Sequence, residues 1–204
     1  PPRSTLFPYT TLFRSLKVDY LYIPTNDQIY PTGSNKKIKI SSFAKKLCGK
    51  FRPGHFEAVV DVIERFIKII NPKKIYLGEK DMQQLKIMEH FINKNYNKIK
   101  IIGCKTIRER NGIACSSRNF LLSVYEKKIA SKIYKILVNK KKHLIKNKIS
   151  LDTIKNKILK LGVQKIDYIK LLDVTNLIRP YKKNTKYRIF VAYFLRKTRL
   201  IDNI

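Results

Sequence analysis

HFEAVVDVIERFIKIINPKKIYLGEKDMQQLKIMEHFINKNYNKIKIIG, residues 55–103, is the stretch that decides the fold. Phe56, Val59, Val60, Ile63, Phe66, Ile67 and Ile70 recur at i, i+3, i+4, i+7 spacing. That period puts them on one stripe of an amphipathic helix, which must stop before Pro72 because proline disfavours a helical residue ahead of it. Ile75–Leu77 reads as a compact buried strand. Gly78, Glu79, Lys80 and Asp81 make a tight turn. From Met82 to Asn93 the helical period returns, with Leu85, Met88 and Ile92 on one face, and Ile99–Gly103 reads as the next strand. Helix, strand, turn, helix, strand implies a parallel sheet and an α/β fold.

Upstream, Val18–Ile23 reads as a short strand ended by Pro24, Lys37–Ile40 as another, and Cys48–Gly54 as a loop marked by glycine and proline. Residues 1–15 share little of the Lys, Ile and Asn bias of the rest. They repeat Thr5-Leu6-Phe7 as Thr11-Leu12-Phe13 and resemble translated adapter or vector sequence, so the expectation is a non-native tail. Downstream of Ser123 the character changes. Val124–Leu144 is a basic amphipathic helix with Ile129, Ile133, Ile136 and Leu137 inward, and Leu151–Leu161 is a second helix. The strand-like runs Lys165–Leu172 and Arg188–Leu195 flank a loop containing Pro180. Two helices followed by two strands suggest a small α+β domain, so the expected division is 1–15, 16–123 and 124–204.

Forty-five Lys and Arg against fourteen Asp and Glu give a formal charge of +31. Such an excess favours a polyanionic partner, either nucleic acid, an anionic membrane or a phosphorylated ligand. The lysines are scattered beside Ile and Asn through the whole chain, as a coding bias would place them on any solvated surface, and no RNA-recognition or zinc-finger signature accompanies them. The expectation is therefore no specific nucleic acid and no membrane partner; no apolar run approaches the ~20 residues of a membrane span. Cys48, Cys104 and Cys115 lack CxxC spacing and suit free thiols in a reducing cytoplasm. His55, His90 and His143 form no metal-ligand pattern.

In an open parallel sheet ligands bind beyond the carboxyl ends of the strands, where Gly78-Glu79-Lys80-Asp81 falls. Lys80 can meet a phosphate, and Asp81 can accept from a ribose hydroxyl; a solvated lysine and a plain helix cap fit the same residues. Cys115-Ser116-Ser117-Arg118 sets two hydroxyls and a guanidinium in a polar loop suited to phosphate oxygens, or is a serine-rich turn. Lys50–Phe56 is a third candidate, in which His55 lacks the carboxylate or cysteine partner of a nucleophile–base pair.

Taken together, LCGKFRPGHFEAVVDVI, IYLGEKDMQQL, IRERNGIACSSRNFLLS and the terminal KTRLIDNI resemble the pantoate–β-alanine ligase family, in order and without large gaps from about Val18 to Ile204. The resemblance implies a Rossmann-like, nucleotidyltransferase-type sheet followed by a small α+β lid domain, in a cytoplasmic homodimer. It implies ATP with Mg2+, pantoate and β-alanine as substrates. Gly78, Glu79, Lys80, Asp81, Ile107, Cys115, Ser116, Ser117 and Arg118 would then contact ATP, with Lys80 catalytic and Gln84 on pantoate. The family usually has Met where Cys115 stands. Its His-x-Gly-His segment and a further pantoate-binding glutamine, both in the first half of the sheet, are not matched here. The expectation from this is that the polypeptide as written has little or no activity by itself.

Overall fold

The computed structural model describes residues 13, 15–33, 38–146, 148–174 and 186–204. The chain forms two compact units, Pro1–Asn35 and Lys36–Ile204. Most of residues 1–15, together with Lys37 and Pro180, lie outside the described residues.

In the first unit a one-turn helix α1, Asn26–Ile29, is held by a capping box. The Thr25 hydroxyl accepts from the Gln28 N–H, and the Gln28 carboxamide accepts from the Thr25 N–H. Val18–Ile23 is not a strand. The Val18 N–H turns back to the Phe13 carbonyl, and Tyr20 is 92% exposed. Apolar content alone does not make a strand when no neighbour completes the hydrogen-bond ladder. In the second unit Ile38–Ile40 is likewise irregular.

The second unit begins with a 3-10 turn, Ser42–Lys45, and a one-turn helix α2, Cys48–Phe51, in place of the expected loop. Between them Leu47 has a φ of 44°, a strained value for a branched residue. Helix α3, His55–Ile70, starts after Gly54 and ends at Asn71, whose left-handed φ of 47° lets its N–H reach the Ile67 carbonyl. Strand β1, Lys74–Gly78, leads through the 3-10 turn Glu79–Asp81 into α4, Met82–Asn95, and β2 follows at Lys100–Cys104. β1 and β2 pair in parallel, Ile75 opposite Ile101, as the βαβ reading required; β1 is not the buried strand expected, since Tyr76 is 61% exposed and Ile75 and Leu77 are only partly covered. Phe56, Val60 and Ile67 of α3 and Ile87, Met88 and Ile92 of α4 form one core cluster over this pair.

After a 3-10 turn at Ser117–Leu121 comes α5, Val124–Ile145, then α6, Leu151–Leu159. Ser123, expected as the domain boundary, is the N-cap of α5 in a full capping box with Glu126. β3 (Lys165–Asp173), β4 (Tyr187–Leu195) and β5 (Thr198–Asn203) form an antiparallel sheet in that order. The sequence reading had no strand at β5. Ile189, Val191, Tyr193 and Leu195 of β4 face Ile129, Ile133, Leu137, Ile154 and Ile158 of α5 and α6. From the opposite face Phe190 packs with Leu47, Met82, Leu85 and Leu172. β4 is therefore covered on both sides, which is why its run is almost continuously apolar.

Candidate active site

Three segments meet around the end of β1. The first is the Gly78–Asp81 turn. Gly78 is extended and has nothing within 4 Å of where a Cβ would stand. Lys80 is largely covered, at 20% side-chain exposure, with its Nζ 3.5 Å from Asp81 Oδ2. Asp81 precedes α4 but makes no capping bond, so its half-exposed carboxylate is not a plain helix cap. Glu79 is engaged: its Oε2 accepts from Arg188 Nη2 at 2.6 Å.

The second segment is the loop 107–118. A single antiparallel bridge, Arg108 to Ala114, closes it, and the Cys115 N–H reaches the Ile107 carbonyl at 2.9 Å. Glu109 organises the interior by accepting from Asn119 Nδ2 at 2.6 Å and Asn111 Nδ2 at 3.1 Å. Ser116 caps the following 3-10 turn, its hydroxyl accepting from the Arg118 N–H. The Arg118 guanidinium donates to the Arg199 carbonyl at 3.4 Å. Ile107 is 72% exposed at the rim, an apolar shelf beside a polar loop.

The third segment is Cys48–His55. Arg52 Nη1 lies 3.0 Å from His55 Nε2. A guanidinium only donates, so Nε2 accepts and the neutral ring carries its proton on Nδ1. Burial, and then the charge of Arg52, lower the His55 pKa from 6.5. The buried Cys48 Sγ is 2.9 Å from the Tyr168 hydroxyl and 3.8 Å from both terminal nitrogens of Arg199, whose Nε holds Asp167 at 2.8 Å. Burial first, and then Cys48, push the Tyr168 hydroxyl well above its ordinary range.

Lys80 joins two hollows. With Ser116, Arg118, Tyr134 and Arg199 it lines a cavity of about 20 Å³. With Asp81, Gln84, Arg52, His55 and Cys48 it lines one of about 40 Å³. Each holds a water or two, so a larger anion must displace side chains or lie across the mouths. Of the sequence-derived candidates, Lys80, Ser116 and Arg118 share the first hollow and Lys80, Asp81 and Gln84 the second. Gly78, Glu79, Ile107, Cys115 and Ser117 line neither. A roomier hollow, about 530 Å³, lies between the start of α6 and β3 and contains none of the motif residues.

Sequence reading missed the strand that ties these segments together. Arg199, Asp202 and Asn203 of β5 reach the 116–118 loop, Arg108 and the Glu79–Lys80 turn respectively. Thr198-Arg199-Leu200-Ile201-Asp202-Asn203 has no period-two alternation of apolar and polar residues that would mark it as a strand. Among the described residues no group of three His, Cys, Asp or Glu side chains could hold a metal ion, and no helix is long and apolar enough to cross a membrane. All three cysteines are free, as expected from their spacing.

The sequence model of the pantoate-beta-alanine ligase family matches residues 7–204. The pantothenate synthetase of Clostridium botulinum (strain ATCC 19397 / Type A) is 37% identical over 198 residues, covering 95% of this chain and 70% of that protein. That of Sulfurihydrogenibium sp. (strain YO3AOP1) is 34% identical over 193 residues, covering 92% and 69%. Among solved structures, the pantoate-beta-alanine ligase from Francisella tularensis complexed with beta-gamma ATP and beta-alanine superposes with a TM-score of 0.78 at 34% identity, covering 96% of this chain and 67% of that one. The pantothenate synthetase from Thermus thermophilus gives 0.85 at 28% identity, covering 100% and 75%.

Proposed function

Because the chain belongs to the pantoate–β-alanine ligase family, a family of ATP-dependent ligases, we propose that the hollows around Lys80 are where it handles the nucleotide and the acid. The observation that carries this reading is that Lys80 and Arg118, from separate segments, line one cleft with the Ser116 hydroxyl between strand end and loop.

In the proposed reaction a pantoate carboxylate oxygen attacks the α-phosphorus of ATP, and the bond to the β-phosphate oxygen breaks to release pyrophosphate. The β-alanine amine then attacks the acyl carbon of pantoyl adenylate. The bond from the acyl carbon to the bridging oxygen breaks, AMP leaves carrying that oxygen, and the amine gives up a proton. Both steps build negative charge on phosphate oxygens, which a covered lysine and a guanidinium stabilise most where water is scarce. Lys80 has that position, and Arg118 offers two parallel donors. Ser116, Ser117 and the backbone at Cys115 would complete the phosphate contacts, while exposed Ile107 would meet the adenine through its backbone. Gly78 lets the phosphates approach the strand end, and Asp81 can accept from the ribose. Glu79, with its carboxylate held by Arg188, contributes backbone rather than charge. Gln84, in the second hollow, would hydrogen-bond pantoate. Mg2+ would arrive with ATP as the counter-ion of its phosphates; the half-exposed Asp81 is the nearest carboxylate to Lys80. A homodimer working in the cytoplasm belongs to the same proposal.

The test is calorimetric titration of the chain with Mg-ATP and with adenosine. Lys80→Ala and Arg118→Ala should each weaken ATP by about tenfold or more, the worth of a charge-assisted contact, and leave adenosine unchanged. If ATP fails to bind, or both variants bind it like the parent, the site is misplaced.

A further inference from the structure

Resting on the reading of Lys80 as the cation at the α-phosphate, we infer that Asn203, the last residue of β5, is a positioning residue that sets the backbone of the Lys80 turn. Asn203 is 3% exposed. Its Nδ2 donates to the Glu79 and Lys80 carbonyls, both at 2.8 Å, and its Oδ1 accepts from Arg188 Nη1 at 2.7 Å. The orientation is unambiguous, since two carbonyls can only accept and a guanidinium can only donate. Arg188 completes the clasp by donating its other terminal nitrogen to Glu79 Oε2 at 2.6 Å. The turn preceding α4 is thus held by one carboxamide and one guanidinium from the antiparallel sheet.

The same strand reaches the other half of the cleft. Four residues before Asn203, the Arg199 carbonyl accepts from Arg118. Between them, Asp202 takes Arg108 at the root of the 107–118 loop and also accepts the Asn203 N–H at 2.8 Å. One strand therefore bears on the positions of both Lys80 and Arg118, the two cations that line the same hollow in the proposed site. Charge stabilisation of this kind depends on geometry held before the ligand arrives.

Asn203→Asp keeps the shape and the Arg188 contact but sets an oxygen against two carbonyls. With Mg-ATP and adenosine as probes, the variant should lose about tenfold in ATP affinity and nothing in adenosine affinity. In the Lys80→Ala background it should cause no further loss, because the two changes act through one group. An equal effect on both ligands, a lowered Tm with unchanged ATP affinity, or additivity with Lys80→Ala would overturn the inference and leave Asn203 a structural residue. If Lys80→Ala alone leaves ATP affinity unchanged, the reading of Lys80 has failed, independently of the clasp. Should Asn203→Asp not fold, Arg188→Gln carries the same cycle, since it releases the carboxamide and Glu79 while leaving β5 in register.

Discussion

Asp202 takes both terminal nitrogens of Arg108, at 2.7 and 3.0 Å, and so binds the last strand to the loop that carries the proposed phosphate contacts. The Arg108 guanidinium also lies 4.5 Å from the Tyr134 ring centroid and donates to the Gly112 carbonyl at 3.1 Å. With both side chains mostly covered, removing one leaves the other short of a partner in poor solvent. Asp202→Leu is expected to cost about 2 kcal/mol, below the full value for a completely buried pair. Urea unfolding of Arg108→Met, Asp202→Leu and the double variant checks this: the double should cost less than the sum by about 1–3 kcal/mol. Additive losses would mean that the bidentate contact contributes nothing of its own.

Gly112 is required by the same loop. Its φ is 91°, and a Cβ there would run into the Tyr134 ring. Gly112→Ala combines backbone strain with a clash and is expected to destabilise by about 2 kcal/mol. Part of that loss should return when Tyr134→Ala is added, since the ring then no longer opposes the methyl. If thermal unfolding shows Gly112→Ala within about 0.5 kcal/mol of the parent, the size of an ordinary surface effect, the loop is not packed as described.

The βαβ core was legible because its information is local. The stripe on α3, the apolar run of β1 and the stripe on α4 each lie within a few turns of sequence. The Gly78–Asp81 turn and the Ser116–Arg118 loop were legible as motifs. The clasp was not, because Asn203 and Glu79, Arg108 and Asp202, and Arg199 and Asp167 meet only after folding, and each is an ordinary polar residue in a chain rich in charge. β5 escaped notice for the same reason: its polar residues are spent on distant partners, so it lacks a wholly apolar face. Val18–Ile23 was misread in the opposite direction, since a strand is defined by its neighbour rather than its composition.

Gln83 and Gln84 are adjacent but differently placed, Gln83 buried and Gln84 partly exposed. Buried Gln83 accepts from the Cys48 N–H at 3.0 Å and donates to the Phe43 and Lys46 carbonyls at 3.1 and 2.7 Å. Those three bonds hold the segment around the strained Leu47. Gln83→Leu removes all three bonds and leaves the Cys48 N–H without its partner, while the Phe43 and Lys46 carbonyls keep the Lys46 and Gly49 N–H groups, and it is expected to cost about 2 kcal/mol. Gln84→Leu should stay within about 0.5 kcal/mol in stability and weaken pantoate binding instead. Comparable stability losses in urea unfolding for both variants would erase the distinction.

The stability of the chain should fall between pH 7 and pH 5 in a way that depends on His55. Burial and the neighbouring Arg52 lower the folded pKa of this ring from 6.5; Arg118 and Arg199 act in the same direction, and Asp81 opposes them. Well above 6.5 the ring is neutral in both states and contributes no pH dependence. As the pH drops below that value the unfolded chain takes up the proton first, so it binds more protons than the folded chain and is favoured by acid. The loss continues until the pH passes the lowered folded pKa, below which both states are charged. Glu126, held under its ordinary 4.5 by hydrogen bonds from Ser123, adds its own acid-side loss as the pH approaches 4.5, at the foot of this window, and its contribution persists in His55→Gln. Urea midpoints measured at half-unit steps from about pH 5 to 7.5 should therefore slope upward with pH, and His55→Gln should flatten that slope. An unchanged slope in His55→Gln would place the responsible titration elsewhere, and a downward slope in the parent would contradict the sign of the shift.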